Sequence, residues 1–268
     1  MAQKMDFPDR PELNDKSLPD GWHISFSETA PSSNDLALAA LKARGQQAAG
    51  ACFVVGEQTQ GRGRLGRQWT SRPGDGLYLS AVLCPQVPRD VWPSLSFAVS
   101  LAVYNMLADA IGDTEAQISL KWPNDVLVNG GKIAGILLEA GDAGVVAGCG
   151  INLKNAPTDT SQKHPATSLD RFCPNGQMHS AEELAFRLVH KLAECYEMWN
   201  AKGHQAVIAD WQRHCSMIGQ NVHIQTPARL IEGRCEAIGE DGHLVVCDTA
   251  GQQHFITAGD VEIMKGQA

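Results

Sequence analysis

Three arginines and three glycines share the seven positions Gly61-Arg62-Gly63-Arg64-Leu65-Gly66-Arg67, with Gln58 just before them and Trp69 just after. Arginine offers forked hydrogen bonds to carboxylates and phosphates. Glycine lets the backbone approach a ligand closely and reach positive φ without strain. Together they describe a mobile cationic loop that can wrap an anion with guanidinium forks and backbone N–H groups. A solvated surface loop and an Arg/Gly contact to nucleic acid are the competing readings. Apolar runs on either side, Ala51 to Val55 and Leu77 to Leu83, favour a loop anchored in a sheet. Trp69 and Trp122 supply apolar walls of the kind that ligand sites use.

A second constellation is Lys121-Trp122-Pro123-Asn124-Asp125, followed by Lys132 at the head of an apolar run. Lys132 either snorkels to water or aims a compact positive charge at a phosphoryl or carboxylate oxygen. Asp125 is open to three roles: a turn cap, a holder of Mg²⁺, or an orienting partner for a lysine nucleophile. In the third, Gly148-Cys149-Gly150-Ile151-Asn152, small residues admit a flat ligand and the Asn152 amide can read an adenine edge. Ser32, Ser33 and Asn34 offer small polar donors, which helix capping explains equally well.

These groups need a scaffold, and the patterning predicts one. Ser32 or Ser33 caps a helix that Gly45 stops. Strands are expected at Ala51–Val55 and Leu77–Leu83, and a helix buried on most sides from Trp92 to Ile111. Gln117 to Trp122 reads as a strand, and Val126 to Leu138 as a hairpin around Asn129-Gly130-Gly131. Gly144 to Leu153 supplies another strand, and Asn155 to His179 reads as a long loop. Ser180-Ala181-Glu182-Glu183 opens an amphipathic helix with Leu184, Leu188, Leu192, Cys195 and Trp199 on one stripe. A further helix is expected from Gln205 to about Cys215. Beyond Gly219, four short alternating segments suggest a small β-barrel.

Composition narrows the partners. With 268 residues and a net charge of -8, a general nucleic-acid or anionic-membrane binder is disfavoured, because most of the surface repels phosphate. No apolar run of about eighteen residues marks a membrane helix. The start of the chain, through Leu18, is polar and lacks the apolar centre of a signal peptide, which suggests a cytoplasmic protein with a frayed first segment. The eight cysteines form no Cys-x-x-Cys pair and read as buried small hydrophobes, with no structural metal expected.

Taken in order, the run Gln58 to Trp69, Lys121 to Asp125, Lys132 to Glu139 and Gly148 to Asn152 resemble the four signatures of the biotin protein ligases. The resemblance covers Gly21 to Met264. It implies an α+β protein in three parts: a flexible segment at 1–20, a catalytic domain at 21–217 and an SH3-like barrel at 218–268. The catalytic domain would have a mixed sheet related to class II aminoacyl-tRNA synthetases. It further implies biotin and MgATP as substrates, biotinyl-5′-AMP as intermediate, and a lysine of a biotin carboxyl carrier domain, such as that of acetyl-CoA carboxylase, as acceptor. Carried over residue by residue, Ser32, Ser33, Asn34 and Gln58 fall at the biotin site. Arg62, Gly63, Arg64, Trp69, Lys132 and Gly135 join them there. Arg64, Arg67, Asn124 and Asn152 fall toward the nucleotide, and Lys132, Arg62, Arg64 and Asp125 toward the chemistry. Only about twenty residues precede the catalytic part, too few for the winged helix-turn-helix of family members that repress genes, so DNA binding is not expected. Members often pair through sheet edges, which leaves a homodimer open. Lipoate or octanoate ligation on a related fold, and a non-catalytic biotin sensor, are the rival readings.

Overall fold

The computed structural model describes residues 18–157, 165–173, 179–226 and 229–264. The first seventeen residues and much of the Asn155–His179 loop therefore lie outside the described residues, and so does most of the expected flexible segment.

Seven strands form one mixed sheet: β1 (His23–Ala30), β2 (Ala51–Gln58), β3 (Gly76–Leu83), β4 (Ile118–Lys121), β5 (Asp125–Val128), β6 (Gly131–Ala140) and β7 (Val145–Asn152). Their order is β1-β2-β3-β7-β6-β5-β4. Only β1 and β2 run parallel, because α1 (Ser33–Arg44) makes the crossover between them. Ser32 caps that helix by accepting from Asn34 N at 3.2 Å, and Gly45 ends it at φ +55°. The sequence pattern does not predict strand β1. Its His-Ile-Ser-Phe-Ser sequence alternates apolar with small polar residues, a weak signal for an edge strand.

The period of two assigns the sheet's faces. Even-numbered Val82 and Val146, with Ala51, pack under α1 through Ala37 and Leu41. Odd-numbered Leu79, Ala81, Ala147 and Ile151 face the larger core built by α2 (Leu95–Ile111) and α3 (Ala181–Lys202). Strand β3 is buried at every position for this reason. Helix α1 covers only the β2-β3-β7 part of its face, and the uncovered remainder is where a cleft forms.

The expected apolar helix begins as a 3₁₀ turn, Arg89–Ser94, before α2. By length and composition Arg89–Ile111 is apolar enough to cross a membrane, yet 72% of its most apolar stretch is buried inside the fold. Trp199 and Trp211 donate their indole N–H to Ser94 and Ser100, each at 2.8 Å, which fixes α3 and α4 (His204–Arg213) against α2. The α3 stripe is buried as its spacing predicts, and Ser180 Oγ accepts from Glu183 N at 3.0 Å.

A second sheet is antiparallel, in the order β11-β10-β9-β8-β12. Its strands are β8 (Asn221–Gln225), β9 (Leu230–Ile238), β10 (Leu244–Cys247), β11 (Gln253–Ile256) and β12 (Asp260–Ile263). The last strand returns to pair with the first, and this four-residue β12 is absent from the sequence expectation. Apolar contacts run without a break from the large core into this sheet. Trp122 Nε1 donates to Gly242 O at 2.9 Å across the junction.

Candidate functional site

The uncovered part of the α1 face is a cleft of about 560 Å³, within the range of small-molecule sites. Its floor is a patch of small residues on adjacent strands. Gly135 on β6 pairs with Gly150 on β7, and the Trp69 indole lies over both. A Cβ at Gly150 would come within 2.5 Å of that ring, and one at Gly135 within 3.0 Å. The two glycines are therefore required by the tryptophan, whose ring lines the cleft. Trp69 Nε1 is buried and donates to no atom of the described residues.

A β-bulge delivers Lys132 to the same face. The ladder pairs Leu127 with Lys132 but Val126 with Ala134, so Ile133 is an extra residue on β6. Ile133 enters the core at 0% exposure. Lys132 and Gly135, three apart and of opposite parity, thereby share one face. The Asn129-Gly130 turn, with φ +48° and +76°, sets this register. Lys132 Nζ stands 2.6 Å from Asp125 Oδ1 and 5.7 Å from the centroid of the Trp69 ring. The Asp125 contact is one of charge, since buried Oδ1 makes no hydrogen bond of acceptable angle.

Toward the α1 N-terminus this floor continues into Ser32, Ser33 and Asn34, all buried. Gln58 Oε1 accepts from Ser33 N at 2.8 Å and from Ser33 Oγ at 3.1 Å. Ser80, a residue no sequence signal marks, joins Ser33 at 2.7 Å and Asn34 Oδ1 at 2.5 Å. Ser32 acts as the cap, so the capping alternative accounts for its hydroxyl.

The arginine loop closes the cleft from above and is itself folded. Arg62 bridges to Gln68, Gly63 N donates to Arg67 O at 2.7 Å, and Trp69 N donates to Gly61 O at 3.0 Å. Leu65 and Gly66 form the tip at φ +56° and +73°. The loop expected to wrap an anion is thus a small hairpin whose Gly63 N–H is already bonded. Its arginines diverge. Arg64 points inward, donates to Asn124 Oδ1 at 3.0 Å, and has its pKa lowered chiefly by burial. Arg62 turns to Asp35 at 2.7 Å and Glu139 at 3.2 Å, and the Asp35 hydrogen bond raises its pKa further. Arg67 pairs with Asp260 of the second sheet.

All the sequence-selected residues line this one cleft, with Asn152 at its far side. The Asn152 amide donates to Thr167 O at 3.1 Å and Lys132 O at 3.4 Å, clamping the segment around Ala166 to β6. Lys121 is also there, 5% exposed, with its pKa pushed down to about 8 mainly by burial. It was visible in the Lys-Trp-Pro-Asn-Asp run but carried no assigned role. Asp35, Ser80, Glu139 and Asp260 complete the polar lining or its support. Nothing in their local sequence distinguishes them from surface or core polar residues. Cys149, Cys195 and Cys235 are buried, and desolvation lifts each thiol to about 12, so they stay protonated at neutral pH.

The chain is similar to known proteins over most of its length. The biotin/lipoate A/B protein ligase family pattern fits residues 27–154, and that of the biotin protein ligase C terminal domain fits residues 217–264. A biotin–[acetyl-CoA-carboxylase] ligase of Mycobacterium tuberculosis is 33% identical over 261 residues, covering 94% of this chain and 96% of that protein. One of Paracoccus denitrificans is 33% identical over 80% of this chain and 91% of its own length. A biotin protein ligase from Aquifex aeolicus, solved in complex with biotin and ATP, superposes with a TM-score of 0.75. It is 26% identical and covers 91% of this chain and 99% of its own.

Proposed function

The chain belongs to the biotin protein ligases, and we propose from that premise that its cleft makes biotinyl-5′-AMP and hands biotin to a carrier lysine. It activates biotin with MgATP, releases pyrophosphate, and transfers biotin to a biotin carboxyl carrier domain, with acetyl-CoA carboxylase as the acceptor its relatives name. One observation carries the mechanistic reading. Arg64, Lys132 and Lys121 converge on a glycine-floored cleft whose other end is neutral and hydrogen-bonded. A carboxylate and a phosphate repel one another, and these cations offset that repulsion where the fold excludes water.

In the first step a biotin carboxylate oxygen attacks the α-phosphorus, and the bond to the pyrophosphate oxygen breaks. Lys132 stands where the negative charge of both reactants meets. Arg64, fixed by Asn124, holds the phosphate side. In the second step the carrier amine attacks the biotinyl carbonyl carbon, AMP leaves, and the amine proton passes to solvent. No enzyme nucleophile is needed. Asp125 Oδ1 already faces the Lys132 ammonium at 2.6 Å, and no cluster of three or more possible metal ligands stands among the described residues, so Mg²⁺ would come mainly with the ATP phosphates. There the ion would neutralise phosphate charge.

Ser33, Gln58, Gly135 and Trp69 form the biotin end, with Ser32 and Asn34 behind them. Asn152, Asn124 and Arg67 lie toward the nucleotide. We read the seven-stranded sheet as related to class II aminoacyl-tRNA synthetases. We read the second sheet, whose last strand rejoins its first, as an SH3-like barrel with a boundary near residue 218. The acidic balance supports a cytoplasmic enzyme over a nucleic-acid binder. The test is ATP–pyrophosphate exchange on purified protein with biotin, lipoate or octanoate as the only added acid. Exchange with biotin alone is expected. Exchange with lipoate or octanoate would overturn the substrate, and tight biotin binding without exchange would make the protein a sensor.

A further inference from the structure

Arg62 carries a positive charge at the base of the loop, yet its guanidinium is engaged by Asp35 on α1 and Glu139 on β6. Glu139 has a second partner. Its Oε2 accepts from the buried Asn34 amide at 2.5 Å. Asn34 Oδ1 in turn meets Ser80 Oγ at 2.5 Å, and Ser80 meets Ser33 Oγ at 2.7 Å. Ser33 reaches Gln58 at 3.1 Å. An unbroken hydrogen-bonded line thus runs from the floor of the cleft to the arginine loop, across four separate elements: β2, α1, β3 and β6.

Proton counting makes this line responsive. Ser33 and Ser80 each have one hydroxyl proton. The Ser33 proton already goes to Gln58 Oε1, so Ser33 is an acceptor toward Ser80, and a ligand N–H that donates to Ser33 Oγ competes with Ser80 for that oxygen. The Ser80 proton is then drawn away from Ser33 and toward Asn34 Oδ1. Asn34 cannot settle elsewhere without cost. It is 4% exposed, and a Cβ at Gly148 would come within 2.2 Å of its Oδ1, so this wall is already in contact. Its amide therefore moves with its partners, and Glu139 transmits the change to Arg62.

We propose that Ser80 and Glu139 are positioning residues that couple occupancy of the cleft floor to the seat of Arg62, and through it to the arginine loop. This rests on the reading of the floor as the biotin end. Neither side chain needs to touch the reacting atoms.

The experiment is a double-mutant cycle of Ser80→Ala and Glu139→Gln, read by the rate of tryptic cleavage within residues 62–67, with and without saturating biotin. Calorimetry establishes binding in each protein. Glu139→Gln keeps an acceptor for Asn34 but removes the charge that holds Arg62, and at this half-exposed position it leaves the fold intact. In the unchanged protein, biotin is expected to slow cleavage by about fivefold or more, the lower end of ordinary coupling between sites. Each single variant should lose most of that protection while still binding biotin. The double variant should lose no more than the weaker single, because both break one line. Wild-type protection in Glu139→Gln with biotin bound, or losses that multiply independently, would overturn the coupling. Absence of biotin binding to the unchanged protein would overturn the reading of the floor, and the coupling with it.

Discussion

The floor and the roof of the cleft are built on opposite principles. At the floor, Ser33 and Asn34 are each 4% exposed, uncharged, and bonded to neighbours on three strands. At the roof, Leu65 is 70% exposed and three arginines are held by exposed ion pairs and one amide. Buried polar networks are rigid when fully satisfied and costly when broken. Exposed pairs contribute at most about 1 kcal/mol each and exchange readily for a better anion. The floor is thus suited to selecting a ligand, and the roof to retaining what has been made.

Lys132 stands where floor and roof meet, so its loss tests the contrast most severely. Lys132→Ala is expected to lower biotin-dependent pyrophosphate exchange by about a hundredfold or more, with the circular dichroism spectrum unchanged. Unaltered exchange would remove Lys132 from the chemistry. On the roof, Arg64→Ala should speed release of biotinyl-5′-AMP by about ten- to a hundredfold, the equivalent of one charged hydrogen bond. It should also cause loose biotinylation of bystander proteins, and retention as tight as wild type would sink this role. On the floor, Gly150→Ala drives a methyl group into the Trp69 ring. Overpacking of that kind costs about 1–3 kcal/mol, so the KM for biotin should rise roughly tenfold while adenylate release stays close to normal. A leak instead would mean that floor and roof are not separable in this way.

Lys121 gives a pH test. Burial holds it near 8 against an ordinary 10.5, so between those values the unfolded chain keeps a proton the folded protein has lost. Stability therefore rises with pH across that window. The midpoint of denaturation should climb relative to a Lys121→Met variant from pH 8 upward and run parallel to it below pH 7. Parallel lines throughout would place the lysine in water. The smallest effect is expected at Arg67, whose pairing with Asp260 is exposed. Asp260→Asn should change adenylate release less than about fivefold, and a larger effect would give the second sheet a direct part in closure.

Much of the scaffold was legible because its signals are local. The Ser32 cap, the Gly45 stop, the Asn129-Gly130 turn and the α3 stripe each follow from a few adjacent residues. Strands β1 and β12 escaped because both are short or at an edge, with only weak alternation to mark them. The cleft's lining was legible as four separate runs, each ambiguous alone. Asp35 and Ser80 were not, since a serine inside an apolar strand and an acid in the first turn of a helix have ordinary explanations, and Glu139, although it closes one of those runs, carries no local sign of its partners.

The sequence by itself determined the residue types, the loop's charge, the turns, and the family resemblance that predicts the chemistry. Its periodicities act over three or four positions, and that range limits what it specifies. The tertiary structure decided the direction of each charge. The bulge at Ile133 set Lys132 on the face of Gly135, the register of β6 with β7 placed two glycines under one indole, and packing turned Arg62 outward and Arg64 inward. Those outcomes depend on contacts between residues far apart in the chain, where a one-residue shift of register reverses the face on which a side chain lies.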